Sequence, residues 1–153
     1  MIVFRLCKKK HSSDLTGKGA EKSGGRWNSK GTAMIYTCES RALCTAEIAV
    51  HSPLGIVPAD YVIITIKIPD NIEIFELDIK NLKEDWKLFP HSHSTQLIGD
   101  KFISENKYFV MKVPSVVVQG DFNYLINPFH DDFKLLKILN INDFEFDSRL
   151  FKR

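Results

Sequence analysis

The sequence predicts an α+β fold built as one domain. Apolar runs typical of short strands dominate both ends of the chain, whereas helical patterns occur in the middle. Strands and helices do not alternate regularly, which argues against a parallel sheet wound from βαβ units. The length of 153 residues suits a single domain. A content of 44% hydrophobic and 26% charged residues is typical of a folded protein.

The strand predictions depend on alternating or short apolar runs that lie between turn-forming residues. The clearest strand is residues 61–68, where four side chains share one face, namely Val62, Ile64, Ile66 and Ile68. The remaining predicted strands are residues 2–6, 33–37, 72–77, 108–113, 116–119, 124–126, 134–139 and 144–146.

The clearest helix covers residues 41–51, and Ser40 is a suitable N-cap for it. Two further helical patterns cover residues 82–88 and 95–104, and Ser94 is placed to cap the second of them. The middle of the chain is therefore expected to contain a few short helices.

Charge is distributed unevenly along the chain. Residues 1–51 contain nine Lys and Arg against four Asp and Glu, whereas residues 52–153 contain twelve against fifteen. The basic first part favours a small anionic ligand or an acidic partner surface. A solvated basic face explains the same counts equally well.

Cysteine usage and hydropathy indicate a cytoplasmic protein. The three cysteines, Cys7, Cys38 and Cys44, lack metal-ligand spacing and predict buried thiols in a reducing compartment. No apolar run is long enough to span a membrane, and the apolar start is too short for a signal sequence. The histidines also lack a convincing metal spacing, so no metal site is expected.

The most informative motif is Gly-Gly-Arg-Trp-Asn at residues 24–28. Adjacent glycines allow a positive φ and a close approach of a ligand to the main chain. Arg26 offers donors that suit a phosphate or carboxylate, and Trp27 offers a flat ring face. Residues 17–31 are therefore predicted to form an anion-binding loop, with an ordinary turn as the open alternative. Neither a P-loop nor a dinucleotide-binding glycine motif is present.

Four other side chains are candidates for a functional site. Glu47 lies inside the predicted helix, on its apolar stripe. A carboxylate on that side is paired, lies at the edge of the stripe or has a function, because glutamate is rarely buried alone. Tyr36, Ser115 and Asn123 have ordinary interpretations when each is read singly, as a packed tyrosine and two turn residues.

These stretches together resemble the RES-domain family, which is named for an Arg, a Glu and a Ser. The matching stretches run in order from the amino terminus to about residue 135. They are Gly24-Gly25-Arg26-Trp27-Asn28, Ile35-Tyr36-Thr37, Glu39-Ser40, Ala46-Glu47, Val50-His51, Pro58-x-x-Tyr61, Gln96-x-x-Gly99-Asp100, Val113-Pro114-Ser115 and Asn123-x-x-Ile126-Asn127-Pro128-x-His130-x-Asp132-Phe133. Each stretch is common alone, but nearly the whole chain is covered in a consistent order.

The resemblance implies that residues 1–153 form a single RES domain. It implies an ADP-ribosyltransferase-like fold of mixed β-sheets with a few short helices. The implied activity is cleavage of NAD+, which is a substrate, so no separate cofactor is expected. Members of the family are bacterial toxins paired with Xre-type antitoxins, so an Xre-like antitoxin is the expected protein partner. Neither direct binding of nucleic acid nor a membrane is implied.

The resemblance also assigns roles to residues. The family's catalytic positions fall on Arg26, Tyr36, Glu47 and Ser115. Arg26 would hold the pyrophosphate, and Tyr36 and Trp27 would face the nicotinamide or a neighbouring ring. Ser115 would form a hydrogen bond at the nicotinamide or ribose end, and Asn123 is a weaker candidate for binding the substrate.

The implied chemistry suits these residue types. Breaking the nicotinamide–ribose bond releases a neutral pyridine and leaves positive charge on the ribose, so one carboxylate can suffice. The acceptor is open between phosphate, water and a protein side chain, which would make the protein a phosphorylase, a glycohydrolase or an ADP-ribosyltransferase. Two other classes are a non-catalytic partner-binding module and a nucleic-acid-binding domain, the latter without a recognition motif.

Overall fold

A computed structural model describes residues 1–152 of the chain. Those residues form seven strands and three α-helices, joined by turns and short 3-10 helices. The strands are β1 (Ile2–Lys8), β2 (Ile35–Cys38), β3 (Tyr61–Lys67), β4 (Ile74–Glu76), β5 (Val110–Pro114), β6 (Phe122–Ile126) and β7 (Lys137–Phe144). The helices are α1 (Lys18–Ser23), α2 (Arg41–His51) and α3 (His93–Glu105).

All seven strands belong to one sheet with the order β4-β5-β6-β2-β1-β3-β7. Strands β4 and β5 are parallel, whereas every other neighbouring pair in this sheet is antiparallel. This mixed sheet with few helices confirms the predicted α+β class. Strand β2 pairs with β6 although the two strands are far apart in the sequence, so the ends of β2, β6 and β5 bring distant residues together.

The two faces of the sheet bury different side chains. One cluster contains the residues predicted to share a face of β3, Val62, Ile64, Ile66 and Ile68. Ile63 points the other way and packs with Cys44 of α2, while Phe102 of α3 packs with Val113 of β5. Cys38 of β2 belongs to the cluster of Ile63 and Cys44 and is paired with Asn123 of β6, which is paired in turn with Val113 of β5. Residues paired across neighbouring strands point to the same face, so both contacts lie on one face of the sheet. Helices α2 and α3 therefore cover the same side of the sheet.

The helix predicted at residues 41–51 is confirmed as α2. The Ser40 hydroxyl caps it by accepting a hydrogen bond from the Leu43 N–H at 3.0 Å. Helix α3 begins earlier than predicted, because Ser92 is its cap and accepts a hydrogen bond from the Ser94 N–H at 3.1 Å. Most predicted strands are also confirmed, with bounds that differ by one or two residues.

Two predicted strands are wrong in place or extent. Residues 116–119 form a bend, because the Ser115 hydroxyl accepts hydrogen bonds from the N–H groups two and three residues further on, each at 3.1 Å. The strand predicted at residues 134–139 begins late, because a 3-10 helix (Asp131–Leu135) precedes β7. Local hydrogen bonds override the apolar pattern in both places, to the Ser115 hydroxyl in the first and within the 3-10 turn in the second.

Two short predictions are only partly correct. The helical pattern at residues 82–88 is a single 3-10 turn, Glu84–Lys87, whose cap lacks a side-chain hydrogen bond. Of the strand predicted at residues 144–146, the first residue alone belongs to β7.

The cysteines are free thiols, and Cys38 and Cys44 are buried as predicted, whereas Cys7 is half-buried. The Cys44 thiol donates to the Phe4 carbonyl at 3.3 Å, and burial raises the pKa of the Cys7 thiol. Within residues 1–152, the helices are all too short or too polar to cross a membrane.

Candidate active site

The candidate residues come from four elements on the helix-covered side of the sheet. Tyr36 comes from β2, Asn123 from β6, and Ser115 follows the last residue of β5. Asn123 is paired with Cys38 on one side and with Val113 on the other. Helix α2, which follows β2 directly, places Glu47 over the ends of these three strands through the contacts described below.

The Glu47 carboxylate is held by two neutral donors on one oxygen. Its Oε1 accepts hydrogen bonds from the Ser115 hydroxyl at 3.0 Å and from the Asn123 Nδ2 at 2.8 Å. Within residues 1–152, Oε2 has no hydrogen-bond partner, and the side chain is half-buried. The arrangement fixes the carboxylate in direction and leaves one oxygen able to accept from a bound molecule.

Ser115 positions Glu47 and is itself well fixed. Its side chain is 5% exposed, and its N–H donates to the Asp121 carbonyl at 2.9 Å. The hydroxyl oxygen accepts from two backbone N–H groups, as described above, so its one proton is directed to Glu47. In this structure the Ser115 hydroxyl donates to Glu47, and its bond to nicotinamide or ribose stays a prediction from the family resemblance.

The motif at residues 24–28 is fixed from below by Tyr36. The Tyr36 hydroxyl donates to Asn28 Oδ1 at 2.7 Å and accepts from the Trp27 N–H at 3.1 Å. Asn28 is fully buried, and its amide donates to the backbone carbonyls of Ala20 and Thr32 at 2.8 and 2.9 Å. Burial raises the pKa of Tyr36, so the hydroxyl stays neutral and keeps donating.

Helix α3 fixes the same motif from the side. Gln96 Nε2 donates to the Gly25 carbonyl at 3.0 Å, and an Asp100 carboxylate oxygen accepts from the Ser29 N–H at 2.9 Å. Between them, Gly99 lies so close to the backbone carbonyl at residue 27 that a Cβ would overlap it. The three residues of α3 share one helix face because they are three and four positions apart. Sequence reasoning missed this function, although their spacing in the Gln96-x-x-Gly99-Asp100 motif could have indicated it.

The segment predicted as an open anion-binding loop, residues 17–31, is largely occupied by internal contacts. It contains α1, which begins after Gly17 (φ 73°) and ends at Gly24 (φ 68°). A Cβ at Gly25 would lie 2.7 Å from the Tyr36 hydroxyl. The glycines therefore serve the turn and the packing of the motif, which corrects their assignment to close approach by a ligand.

Trp27 lies in the protein core. It is 2% exposed and packs in a cluster with Met34, Trp86 and Phe102. This position argues against the ligand-facing ring that the sequence suggests for Trp27. The Tyr36 hydroxyl is occupied by the motif, through its bonds to the Trp27 N–H and to Asn28 Oδ1.

Arg26 is half-buried beside Glu47. Its Nη1 donates to the carbonyls of Trp86 and Leu88, the latter at 3.1 Å, and within residues 1–152 its Nε and Nη2 have no partner. Burial lowers the pKa of Arg26, while the negative charge of Glu47 acts in the opposite direction. An arginine remains charged under these conditions. Arg26 thus holds a backbone segment and keeps donors for an anion.

Sequence reasoning also missed His91, which follows the segment held by Arg26. Burial lowers the pKa of His91, and the positive charges of Arg26 and His51 lower it further. His51 lies one helical turn after Glu47 on α2. A single histidine in a loop next to proline gives no sequence signal for such a position.

The fold and the site together define a class of α+β domains. In this class a glutamate on a helix, here Glu47, is held by a serine that follows a strand, here Ser115, and its charge acts on an arginine from a fixed loop, here Arg26. The chain belongs to the RES domain family, whose model matches residues 2–147. This finding confirms the resemblance that the motifs suggest.

Curated relatives and one solved structure agree with this membership. The chain is 34% identical over 154 residues to "Toxin Res" of Photorhabdus laumondii, covering 99% of this chain and 98% of the relative. It is 32% identical over 145 residues to the "Prs ADP-ribosylating toxin" of a Sphingobium species, covering 93% and 89%. The fold is similar to a chain in the crystal structure of the M. tuberculosis MbcT-MbcA toxin-antitoxin complex, with a TM-score of 0.73, 19% identity, and coverage of 98% and 86%.

Proposed function

We propose that this protein is the toxin of a bacterial toxin–antitoxin pair and that it cleaves NAD+ at the nicotinamide–ribose bond in the cytoplasm. The observation that carries the proposal is the geometry of Glu47, whose Oε1 is bonded to Ser115 and Asn123 while Oε2 has no partner within residues 1–152. Family membership and the names of the relatives support the same reading.

In this mechanism Glu47 acts on the ribose. When the C–N bond breaks, its electron pair goes to the nicotinamide nitrogen and positive charge develops on the ribose ring. The free oxygen of Glu47 accepts from a ribose hydroxyl, and the negative charge stabilises the cationic ring. Ser115 and Asn123 keep the carboxylate in place during this change of charge, so they are positioning residues.

Arg26 holds the pyrophosphate in this proposal. Its Nε and Nη2 suit two phosphate oxygens, while Nη1 stays on the backbone carbonyls of Trp86 and Leu88. Tyr36 acts indirectly, because its hydroxyl fixes the motif that carries Arg26.

The proposal is tested by incubating the purified protein with NAD+, with and without phosphate, and by separating the products. Wild-type protein should consume NAD+, and Glu47→Gln should lower the rate by roughly 10³-fold, as expected for removal of a group that stabilises developing charge. Glu39→Gln is the matched control, because the Glu39 Oε1 accepts from the Phe122 N–H at 2.9 Å and a glutamine oxygen can do the same. Intact NAD+ with folded wild-type protein would sink the enzymatic proposal.

The products identify the acceptor. ADP-ribose-1″-phosphate that forms only with phosphate indicates a phosphorylase, whereas free ADP-ribose in both mixtures indicates a glycohydrolase. Mono-ADP-ribosylation of a protein is the second candidate, favoured by the name of the Sphingobium relative. Label transferred from NAD+ to a protein band, and absent with Glu47→Gln, would establish it.

An antitoxin partner is part of the proposal, because the similar solved fold comes from a toxin-antitoxin complex. Its Xre-like character remains a prediction from the family resemblance. We expect the partner to cover Arg26, and co-expression followed by hydrogen exchange would show protection of residues 24–28 in the complex. Unchanged exchange there would contradict this arrangement.

A further inference from the structure

The segment that follows β7 packs on the helix-covered side of the sheet. We call residues 145–151 the anchor segment, because two of its phenylalanines are buried: Phe146 is 9% exposed and Phe151 is 1% exposed. The Phe146 ring meets the rings of Phe151 and Tyr61 edge to face, with centroids 5.5 and 5.3 Å apart. Aromatic side chains contribute much of the packing of a core. The anchor segment therefore belongs to the hydrophobic core.

The same core cluster holds the helix that carries Glu47. Leu43 and Cys44 of α2 are buried in this cluster together with Phe151. Glu47 is four residues after Leu43 and three after Cys44, so the three side chains share one face of the helix. Packing against Leu43 and Cys44 therefore sets the rotation of α2 about its axis. That rotation in turn sets the direction of the Glu47 carboxylate.

The cluster also reaches the bend that carries Ser115. Val118 packs against it, and the Val118 N–H donates to the Ser115 hydroxyl at 3.1 Å. Glu47 and Ser115 are 68 positions apart and belong to different elements, yet both elements rest on this one cluster. A shift of either element relative to the other would lengthen the 3.0 Å hydrogen bond between the two side chains.

A backbone hydrogen bond joins the anchor segment to the loop after α2. The Gly55 N–H donates to the Phe151 carbonyl at 2.7 Å, and α2 ends a few residues earlier, at His51. The Phe151 N–H donates to the Ser148 carbonyl at 3.1 Å, at the end of a 3-10 turn. Phe151 thus joins the α2 cluster through its ring and the loop after α2 through its carbonyl.

We propose that Phe151 is a positioning residue for Glu47, which keeps α2 and the bend after β5 at the separation that the Glu47–Ser115 hydrogen bond requires. Phe151 acts through packing and does not touch the substrate. The effect on turnover rests on the proposed function, whereas the effect on α2 does not. A displacement of about 1 Å can cost on the order of 10²-fold in rate, so a smaller side chain at this position should change kcat.

Phe151→Leu and Phe109→Leu form the matched pair that tests this role. Both side chains are 1% exposed and lose the same atoms, but Phe109 lies in the cluster on the opposite face of the sheet. A contribution to stability alone predicts the same behaviour for the two variants. In the positioning role, Phe151→Leu alone lowers kcat for NAD+ by roughly 10-fold or more, while KM changes by less than about twofold.

Hydrogen exchange measures the same role without turnover. The amides of α2 are compared with those of α3, because the ratio of the two rates cancels a loss of stability that the whole protein shares. In Phe151→Leu the α2 amides should exchange roughly tenfold or more faster relative to those of α3, because α2 opens locally. In Phe109→Leu the ratio should equal that of the wild type.

The outcomes separate this role from the proposed function. The same exchange ratio in both variants, or the same kcat in both, overturns the positioning role and leaves the proposed function intact. Faster exchange of α2 in Phe151→Leu alone, with NAD+ left intact by folded wild-type protein, supports the packing role and overturns the proposed function. If Phe151→Leu fails to fold, Phe151→Met and Phe109→Met replace the pair, because the flexible methionine side chain fills irregular gaps in a core, and the same outcomes decide.

Discussion

The motif at residues 24–28 and the Glu47 carboxylate are held in opposite ways. The motif is fixed on two sides, by Tyr36 and by three residues of α3, and its polar groups bond mainly to the protein itself. Glu47 is fixed through one oxygen, while the other has no partner within residues 1–152. The difference agrees with the proposed function, in which the motif is a scaffold, the carboxylate acts on the substrate, and Arg26 offers the donors that are unpaired within residues 1–152.

The largest expected effect on the clamped motif comes from Gly99. In Gly99→Ala the added Cβ would overlap the backbone carbonyl at residue 27, so α3 and the motif must separate. We expect the free energy of unfolding to fall by about 3 kcal/mol or more, as for severe overpacking. Urea denaturation measures it. Gly19→Ala in α1 is the control, since nothing lies within 4 Å of its Cβ, and it should leave stability equal or slightly higher.

A substitution at Ser115 tests how the Glu47 carboxylate is held in place. Ser115→Ala removes a donor to the Glu47 carboxylate, and a hydrogen bond to a charged group contributes about 1.5–3 kcal/mol. We therefore expect kcat for NAD+ to fall by roughly 10- to 100-fold with a smaller change in KM. Ser104→Ala, on the exposed side of α3, should retain the wild-type rate. A Ser115→Ala enzyme with normal kcat would contradict the positioning role.

Tyr36 links the motif to the sheet through two hydrogen bonds. We therefore expect its hydroxyl to contribute to the free energy of unfolding rather than to act directly on the substrate. Tyr36→Phe leaves the Trp27 N–H and Asn28 Oδ1 without their partner, which costs about 1–3 kcal/mol. Chemical denaturation should show that loss, while Tyr124→Phe, with a partly exposed ring on β6, should show little change. If Tyr36→Phe kept full stability and lost activity, the hydroxyl would instead act directly on the substrate.

The smallest expected effect concerns pH and His91. Its pKa in the folded state is below the ordinary value of 6.5, chiefly because of burial. Below about pH 6.5 the unfolded chain therefore binds more protons at this group than the folded protein does. The contribution of His91 to the free energy of unfolding is complete above that pH and is lost as the pH falls through the folded-state pKa. Thermal unfolding between pH 7.5 and 5 should show a weaker decrease for His91→Asn than for wild type. Parallel curves would contradict a half-buried His91 whose pKa is lowered by burial and by the charge of Arg26.

The predictability of the site from sequence differs between residues. Glu47 could be predicted as a functional candidate because a carboxylate on the apolar stripe of a helix requires an explanation. Its partner Ser115 could be predicted as a site residue only from the family resemblance. The bond between them joins residues 68 positions apart, and periodicity carries no information about such a contact. The position of Trp27 has a related explanation, since an aromatic ring next to glycines can face a ligand or the core, and packing with Phe102 buries this one.

Patterns along the chain were enough to predict the α+β class, helix α2 with its Ser40 cap, and the buried face of β3. These features depend on periodicity and on hydrogen bonds between residues close in the chain. Tertiary structure alone decided that β5, β6 and β2 are neighbours, and hence that Ser115 and Asn123 reach the same oxygen of Glu47. It also decided that the glycine-arginine motif is clamped by α3, because strand order and helix docking are set by burial of the whole core.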